Sequence, residues 1–257
     1  NTTTKKADAA VSIDNPRELA YESGSNYLYV SSYTGKVYKI DMTTRTIAGE
    51  SEKVGANLEG IAVAGNKLYV CNSCSSDYTT YYKNVVELNA STLAKNQDIE
   101  VVDDPVDVIN AGSAIFILSM GIYDDKDKPA TVQMLKDGQL STIGNATMMA
   151  YDAYNDQLYM INAPFGGDKE YKVYNLKNGQ TTTFLTNPDI FSPYSLAVNP
   201  VNGDVFITSS TKNPDTGYAD YTADCKLYRY TSAGILLGTY DCGVNPGTIV
   251  CDSYYQK

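Results

Sequence analysis

Four stretches of the chain repeat one phrase: ESGSNYLYVSS (22–32), VAGNKLYVCNS (63–73), DAYNDQLYMIN (152–162) and NPVNGDVFITS (199–209). Each has a short polar turn, then a run of apolar and aromatic residues, then small polar residues. A short apolar run bounded by turn residues is typical of a buried β-strand. Because the phrase recurs, the sequence predicts a repeated structural unit.

The repeated units begin at residues 16, 58, 105, 147 and 193, so the period is 42 to 47 residues. A four-stranded propeller blade takes about 40 to 50 residues, and each unit here holds four short β-rich runs. No stretch shows a helical apolar period of useful length. We therefore predict an all-β fold, a β-propeller of four-stranded blades. The alternative is a β-sandwich with evenly spaced strands, but sandwiches rarely repeat a phrase in register.

The unit boundaries divide one predicted propeller domain, 1–257, into five complete blades: 15–57, 58–104, 105–146, 147–192 and 193–243. Residues 1–14 read as the outer strand of a preceding blade, and 244–257 read as the inner strand of a partial closing blade. Either the ring closes on an incomplete blade or N-terminal sequence is missing. We favour the second interpretation, in which about 70 to 90 further residues would give seven blades.

The composition removes several classes of protein. The chain has no histidine, so it contains no Ser-His-Asp or Cys-His catalytic set and none of the usual His-rich zinc sites. Its net charge of −10 argues against a large basic face for nucleic acid. The apolar runs are shorter than the roughly 18 to 20 residues of a membrane helix. The polar N-terminus has no secretory h-region, as expected of a mature or trimmed chain.

The Asn-Pro blade starts, the LYV second strands and the ending KLYRYTSAGILLGTYDCGVNPGTIVC (226–251) resemble the YVTN-type surface-layer propellers. That family occurs among secreted or lipid-anchored proteins of gut anaerobes, mostly of unassigned function. The resemblance implies a seven-bladed propeller outside the cytoplasm, at the cell surface, at the outer membrane or in the periplasm. It also implies a possible lipid anchor upstream of Asn1. It supplies no catalytic motif, so no catalytic residue is predicted from it.

The long insertions all follow the second strand of a blade, at 74–84, 121–129, 163–170 and 211–224. Propeller geometry places such loops on one face, and long loops in a compact domain are often functional. Their aromatic residues resemble the large, rigid contact groups of protein-binding loops, and they are also able to stack on sugar rings. The alternative is that they pack the loops onto the rim. The candidate ligand- or partner-binding residues are Tyr78, Tyr81, Tyr82, Tyr123, Phe165, Tyr218 and Tyr221.

The segment YDDKDK (123–128) is a weak candidate for a metal site, because Asp124, Asp125 and Asp127 offer three carboxylates to a cation such as Ca²⁺. It lacks the glycine and the distal glutamate of an EF-hand loop, and two lysines lie among the acids. A solvated loop tip is the favoured interpretation, and no cofactor is predicted beyond this weak candidate for Ca²⁺.

The alternative to a binding protein is a metal-dependent, lactonase-like hydrolase. Related propeller enzymes hold a metal in the central channel, and Glu59, Asp107, Asp152 and Asn199 lie near predicted inner strands. Acidic and amide residues occur at such positions in non-catalytic propellers too. The leading hypothesis is therefore a non-catalytic binding or scaffold propeller. Its partner would be a protein or a glycan at the cell surface.

Two pairs of cysteines need separate interpretation. Antiparallel pairing about the turn at 231–234 sets Cys225 opposite Cys242, close enough for a disulfide, although two free thiols fit equally well. Cys71 and Cys74 have CxxC spacing but end a strand, so a local disulfide or two free thiols remain open. Cys251 is interpreted as a core residue.

Overall fold

The structure is a computed structural model that describes residues 4, 6, 7, 10–22 and 24–251. Every regular element within these residues is a β-strand. The described part of the chain contains no helix that is long and apolar enough to span a membrane. The chain divides into two compact units, residues 1–142 and residues 143–257.

Unit 1 carries three four-stranded antiparallel sheets, which we call blades 1 to 3. In each blade, four consecutive strands lie side by side in chain order, and the last strand of blade 3 runs just past the unit boundary. The strands are β1 (Pro16–Tyr21), β2 (Tyr27–Ser32), β3 (Val37–Asp41), β4 (Thr46–Glu50), β5 (Leu58–Ala64), β6 (Lys67–Cys74), β7 (Tyr81–Asn89), β8 (Lys95–Glu100), β9 (Pro105–Asn110), β10 (Ile115–Ser119), β11 (Thr131–Lys136) and β12 (Gln139–Asn145).

Unit 2 carries blades 4 and 5, which have the same order. Blade 5 has one additional short strand, β19, that pairs with the end of β18. The strands are β13 (Met148–Asp152), β14 (Gln157–Asn162), β15 (Glu170–Asn175), β16 (Gln180–Leu185), β17 (Ser192–Val198), β18 (Val205–Lys212), β19 (Ala219–Asp220), β20 (Cys225–Tyr230) and β21 (Leu236–Cys242).

Five successive four-stranded meanders are propeller blades, so the predicted all-β propeller with five complete blades is confirmed. The first strands of the blades begin at residues 16, 58, 105, 148 and 192. These positions lie within one residue of the starts that the repeat predicted. The fold follows from local chemistry because the apolar runs form the strands and the Gly-, Asn- and Asp-rich segments form the turns.

The turn between β11 and β12 shows how a two-residue sequence sets a hairpin. Asp137 and Gly138 both have positive φ, at 51° and 75°. A type I′ turn needs this conformation at both central residues, and its twist matches that of the flanking strands. Asp-Gly is one of the few pairs that adopt it readily, so the hairpin is encoded locally.

The second strand of a blade is buried on both faces. In β6, Leu68 and Val70 pack with Tyr29 and Val37 of blade 1, whereas Tyr69 and Cys71 pack with Ile115 and Ile117 of blade 3. Alternate side chains of one strand thus enter two different cores. Blades 4 and 5 share a core in the same way, with Tyr159 and Ile161 packed against Val205 and Ile207.

The two terminal segments differ from the sequence prediction. Residues 10–14 and 244–251 form no strand, and the remaining positions predicted to be terminal strands lie mostly outside the described residues. Val11 and Ile13 instead pack against Leu28 and Val30 on the free face of blade 1. The carbonyl of Pro246 accepts a hydrogen bond from Thr208 Oγ1 at 2.9 Å. In the described residues of both terminal segments, these contacts stand where the sequence predicted strand pairing.

Strands β5 and β9 approach so closely that only glycine fits at position 60. A Cβ atom there would lie 2.6 Å from Asp107 Cα and 2.9 Å from both Val106 O and Val108 N. All three atoms belong to the backbone, which has no rotamer with which to move away.

Replacing Gly60 with Ala is expected to lower the free energy of unfolding by about 2 to 3 kcal/mol, because the added methyl group forces two inner strands apart. Urea unfolding measures the change. Gly144→Ala is the matched control, since Gly144 lies in a strand with open space around its Cβ position. Equal stability of the two variants would contradict the close packing of β5 and β9.

Candidate functional site

The long loops of unit 1 lie at the same edge of the blades as the connections between blades. The amide of Asn57, between blades 1 and 2, donates to Cys74 O at 3.2 Å at the start of the 75–80 loop. The amide of Met120, at the start of the 120–130 loop, donates to Asp104 O at 2.8 Å. We call this edge the long-loop face of unit 1.

The 75–80 loop is ordered by its own side chains. The carboxylate of Asp77 accepts hydrogen bonds from Ser75 Oγ at 2.5 Å and from Thr79 Oγ1 at 2.8 Å. These bonds lower the pKa of Asp77. Tyr78 takes positive φ at the loop tip and leaves 60% of its surface exposed. The loop therefore presents an aromatic ring on a fixed backbone.

The 120–130 loop presents Tyr123, which is 79% exposed. The carboxylate of Asp125 accepts the amide of Asp127 at 3.0 Å, so it closes the turn. The described residues contain no group of three or more Cys, Asp or Glu side chains placed to hold a metal. Asp124 and Asp127 are exposed and Asp125 is half-buried. The interpretation of this segment as a solvated loop tip stays a prediction.

Tyr81 and Tyr82 do not belong to the loop in which the sequence placed them. Strand β7 begins at Tyr81, which pairs with Cys74 of β6. Both tyrosines are half-buried. The boundary was missed because the YY pair has strong β propensity and extends the ladder past its apolar core.

A charged network surrounds Glu59 on the long-loop face of unit 1. Arg17 Nε donates to Glu59 Oε2 at 3.0 Å, Arg17 Nη2 donates to Oε1 at 3.2 Å, and the Tyr33 hydroxyl also donates to Oε1. The Arg17 guanidinium lies 4.5 Å from the centre of the Tyr33 ring. Burial and the bond to Glu59 raise the pKa of Tyr33 well above its ordinary value. The Glu59 carboxylate therefore accepts three hydrogen bonds from protein donors.

A groove of about 540 Å³ runs along the inner strands β1, β5 and β9. Glu18 and Asp107 lie in its wall. Burial, with a smaller contribution from Glu18, raises the pKa of Asp107 to about 6. Desolvation and Glu59 also raise the pKa of Glu18. The groove thus holds carboxyl groups that resist ionisation.

The other two candidate channel residues, in unit 2, have structural roles. Asp152 is fully buried, and its carboxylate accepts the amides of Tyr154 and Asn155 at 2.9 and 3.1 Å. Asn199 Oδ1 accepts the amide of Val201 at 2.9 Å. Asp152 and Asn199 close turns at the end of the first strand of a blade. Glu59 and Asp107 lie in the first half of the first strand of their blades. The two pairs of residues therefore occupy different ends of equivalent strands.

The long-loop face of unit 2 brings three of the predicted aromatic residues to the surface. Phe165 is 79% exposed, Tyr218 65% and Tyr221 61%. The rings of Phe165 and Tyr218 stack with their centres 6.0 Å apart and their planes 16° from parallel. Phe165 comes from the 163–169 loop, and Tyr218 comes from the hairpin of β18 and β19. The contact between these two loops was not predicted from the sequence.

Two lysines of the same long loops were missed by the sequence analysis. Lys169 Nζ lies 5.8 Å and Lys212 Nζ 5.9 Å from the centre of the Phe191 ring. Phe191 stands in the connection that leads into β17, at the same face as the long loops. In a propeller, the connections between blades lie at the same face as the long loops. The sequence analysis considered only the long loops and so missed Phe191 in the connection.

The cysteines follow the predicted register. Cys225 and Cys242 are directly opposite each other in the ladder of β20 and β21. All five cysteines have free thiols in the structure. Cys74 accepts a hydrogen bond from Asn57 Nδ2 at 3.6 Å, and burial raises the pKa of the Cys71 thiol. A bond between Cys225 and Cys242 stays a prediction.

Comparisons with known proteins support the fold. No family model matches the sequence, and no curated protein matches it. The structure is similar to a chain of a nidogen/laminin complex at 11% identity, with a TM-score of 0.58, over 88% of this chain and 79% of that chain. It is also similar to a gluconolactonase from Xanthomonas campestris at 17% identity, with a TM-score of 0.56, over 91% of this chain and 77% of that one.

These similarities define the class of the protein as a β-propeller. One neighbour comes from a binding complex and the other is a lactonase. At such low identity they establish the fold alone. The site residues of this chain must therefore decide between the two kinds of function.

The raised pKa of Asp107 predicts a pH-dependent effect of Asp107→Asn. The folded state favours the protonated carboxyl, so wild-type stability is lost as pH rises from 3.8 towards 6. Asparagine removes this loss. The variant should be more stable than wild type by about 1 to 3 kcal/mol at about pH 8 and little changed at about pH 4.

Chemical denaturation at both pH values measures this difference. Asp137→Asn is the control, because Asp137 lies in an exposed turn. An Asp107→Asn variant whose stability relative to wild type does not change with pH would show that the Asp107 carboxyl is not desolvated in solution.

Proposed function

We propose that this propeller is a non-catalytic binding module that recognises a macromolecular partner, a protein or a glycan, through the long-loop faces. One observation carries the proposal. The most exposed aromatic rings of the long loops stand on segments that are held by their own hydrogen bonds, so their exposure is part of the folded structure. Rigid aromatic residues supply contact area at low conformational cost.

The hairpin at Tyr218 illustrates this pre-organisation. Asn213 Oδ1 accepts the amides of Asp215 and Thr216 at 2.9 and 3.0 Å. Asp220 accepts the Thr222 hydroxyl at 2.7 Å, and these bonds lower the pKa of Asp220. Polar side chains close the loop, and the aromatic side chain faces solvent. Binding would therefore order few additional groups.

The lactonase-like alternative has less support from the site residues. Catalysis in the channel requires several carboxylates and amides that converge on one metal ion. Glu59 is occupied by Arg17 and Tyr33, and Asp152 is occupied by turn amides. Glu18 and Asp107 share a groove that Glu22 and Asn110 also line, but among the described residues no three Cys, Asp or Glu side chains are placed together to hold a metal.

We further propose that the protein works outside the cytoplasm, as a propeller of the surface-layer type. The support is the sequence resemblance carried by the Asn-Pro blade starts and by the 226–251 ending. In that setting a lipid anchor upstream of Asn1 would hold the module at the cell surface. Fractionation of cells that express the full-length protein tests this proposal, and recovery with the cytoplasmic proteins would contradict it.

The binding proposal predicts that Tyr78, Tyr123, Phe165 and Tyr218 contribute to partner retention. A variant with all four replaced by Ala should lose most of the retained partner, because each buried aromatic contact contributes about 1 kcal/mol or more. The measurement is quantitative mass spectrometry of proteins and glycans from the native cell surface that are retained on immobilised protein.

The matched control is Tyr154→Ala. Tyr154 is 64% exposed but lies in the turn between β13 and β14, at the opposite edge of its blade. It should retain the partner at the wild-type level. Undiminished retention by the fourfold variant, with an unchanged melting temperature, would overturn the proposal that the long-loop faces bind.

A further inference from the structure

Unit 2 combines an open aromatic platform with two cationic side chains. We define the aromatic–lysine patch as Phe165, Lys169, Phe191, Lys212 and Tyr218. Phe165 and Tyr218 form the stacked pair, and both ammonium groups lie within 5.9 Å of the centre of the half-buried Phe191 ring. We infer that this patch is a binding site for an anionic carbohydrate, a sugar that carries a carboxylate or sulfate group.

Neither Lys169 nor Lys212 forms an ion pair with a carboxylate among the residues that the structure describes. The neighbouring acids are already engaged in part. Glu170 pairs with Lys172 at 2.9 Å, and Asp220 accepts hydrogen bonds from Thr222. The two ammonium groups beside Phe191 therefore keep N–H donors, and a ligand anion is able to accept hydrogen bonds from them.

The stacked pair forms an open platform. Phe165 and Tyr218 are nearly parallel and stand out from their loops with most of their surface in water. A sugar ring presents a flat face of C–H groups that packs on such a ring without a deep pocket. An apolar peptide side chain instead requires a concave site to lose its water. The open platform thus favours a sugar over a peptide.

One contact links the stacked pair to Lys212. A Cβ atom at Gly217, next to Tyr218, would lie 3.9 Å from Lys212 Cε. The aliphatic stem of Lys212 therefore runs beside the loop that carries the platform. A ligand stacked on Tyr218 has this ammonium group within reach of a substituent on its ring.

Charge complementarity would come from Lys169 and Lys212 alone, because the loops that carry the patch also hold Asp168, Asp189 and Asp215. The chain as a whole has a net charge of −10, which repels a long polyanion. A short anionic oligosaccharide that contacts the two ammonium groups meets less of this repulsion than a long polyanion does. The ligand class is therefore a uronate- or sulfate-bearing oligosaccharide. This inference rests on the proposed function, because it names the partner of the long-loop face of unit 2.

The test measures binding of an oligogalacturonate by calorimetry, with a neutral galactose oligomer, a sulfated galactose oligomer and a glutamate oligomer as parallel probes. We expect the anionic sugars to bind and the neutral sugar to bind at least about tenfold more weakly. Lys169→Gln with Lys212→Gln should weaken the anionic sugars by about tenfold. Phe165→Ala with Tyr218→Ala should weaken both classes of sugar. The carboxylated and sulfated probes distinguish the two sources of charge.

Lys177→Gln and Tyr154→Ala are matched controls. Lys177 and Tyr154 lie in exposed turns at the opposite edge of blade 4, and neither substitution should change binding. Failure of every anionic sugar to bind overturns the inference, as does equal binding of the glutamate oligomer, which would mean an acidic peptide partner. If the lysine variants keep the native surface partner that the fourfold aromatic variant loses, the inference fails while the proposed function stands.

Discussion

The structure depends on strands that are apolar on both faces. A strand such as β6 sends Leu68 and Val70 to one side of its sheet and Tyr69 and Cys71 to the other. Burying each of these large side chains contributes about 1.5 to 3 kcal/mol. A single four-stranded sheet leaves both faces in water, so each blade requires neighbours. The apolar second-strand phrase recurs in the sequence because the blades share this requirement.

Packing on both faces also determines where the chain is able to vary. Blade interiors tolerate little change, and at Gly60 the approach of two backbones excludes even a methyl group. The loops at the blade edges have no such constraint. They close on themselves through Asp77, Asn213 and Asp220, which bind amides and hydroxyls of their own segments. The aromatic side chains of these loops are therefore available for contacts outside the chain.

The charged residues near the inner strands have a different role from the one that a channel enzyme would give them. Glu59 accepts three hydrogen bonds from Arg17 and Tyr33. These bonds join the first strands of blades 1 and 2 and occupy both carboxylate oxygens. Asp107 is the exception, since its desolvated carboxyl destabilises the folded state at neutral pH. A binding function needs no converging metal ligands, so it is compatible with this arrangement.

The sequence by itself determined the all-β class, the blade boundaries, the exposed rings at positions 78, 123, 165, 218 and 221, and the register that sets Cys225 opposite Cys242. These features depend on periodicity and turn chemistry, which act over a few residues. Only the tertiary structure decided that Tyr81 and Tyr82 extend a strand, and that Arg17 reaches Glu59 across 42 positions. It also decided that Phe165 stacks on Tyr218 and that Lys169 and Lys212 meet at Phe191. Such contacts join side chains of different blades, and their geometry is set by how whole sheets pack rather than by any local sequence.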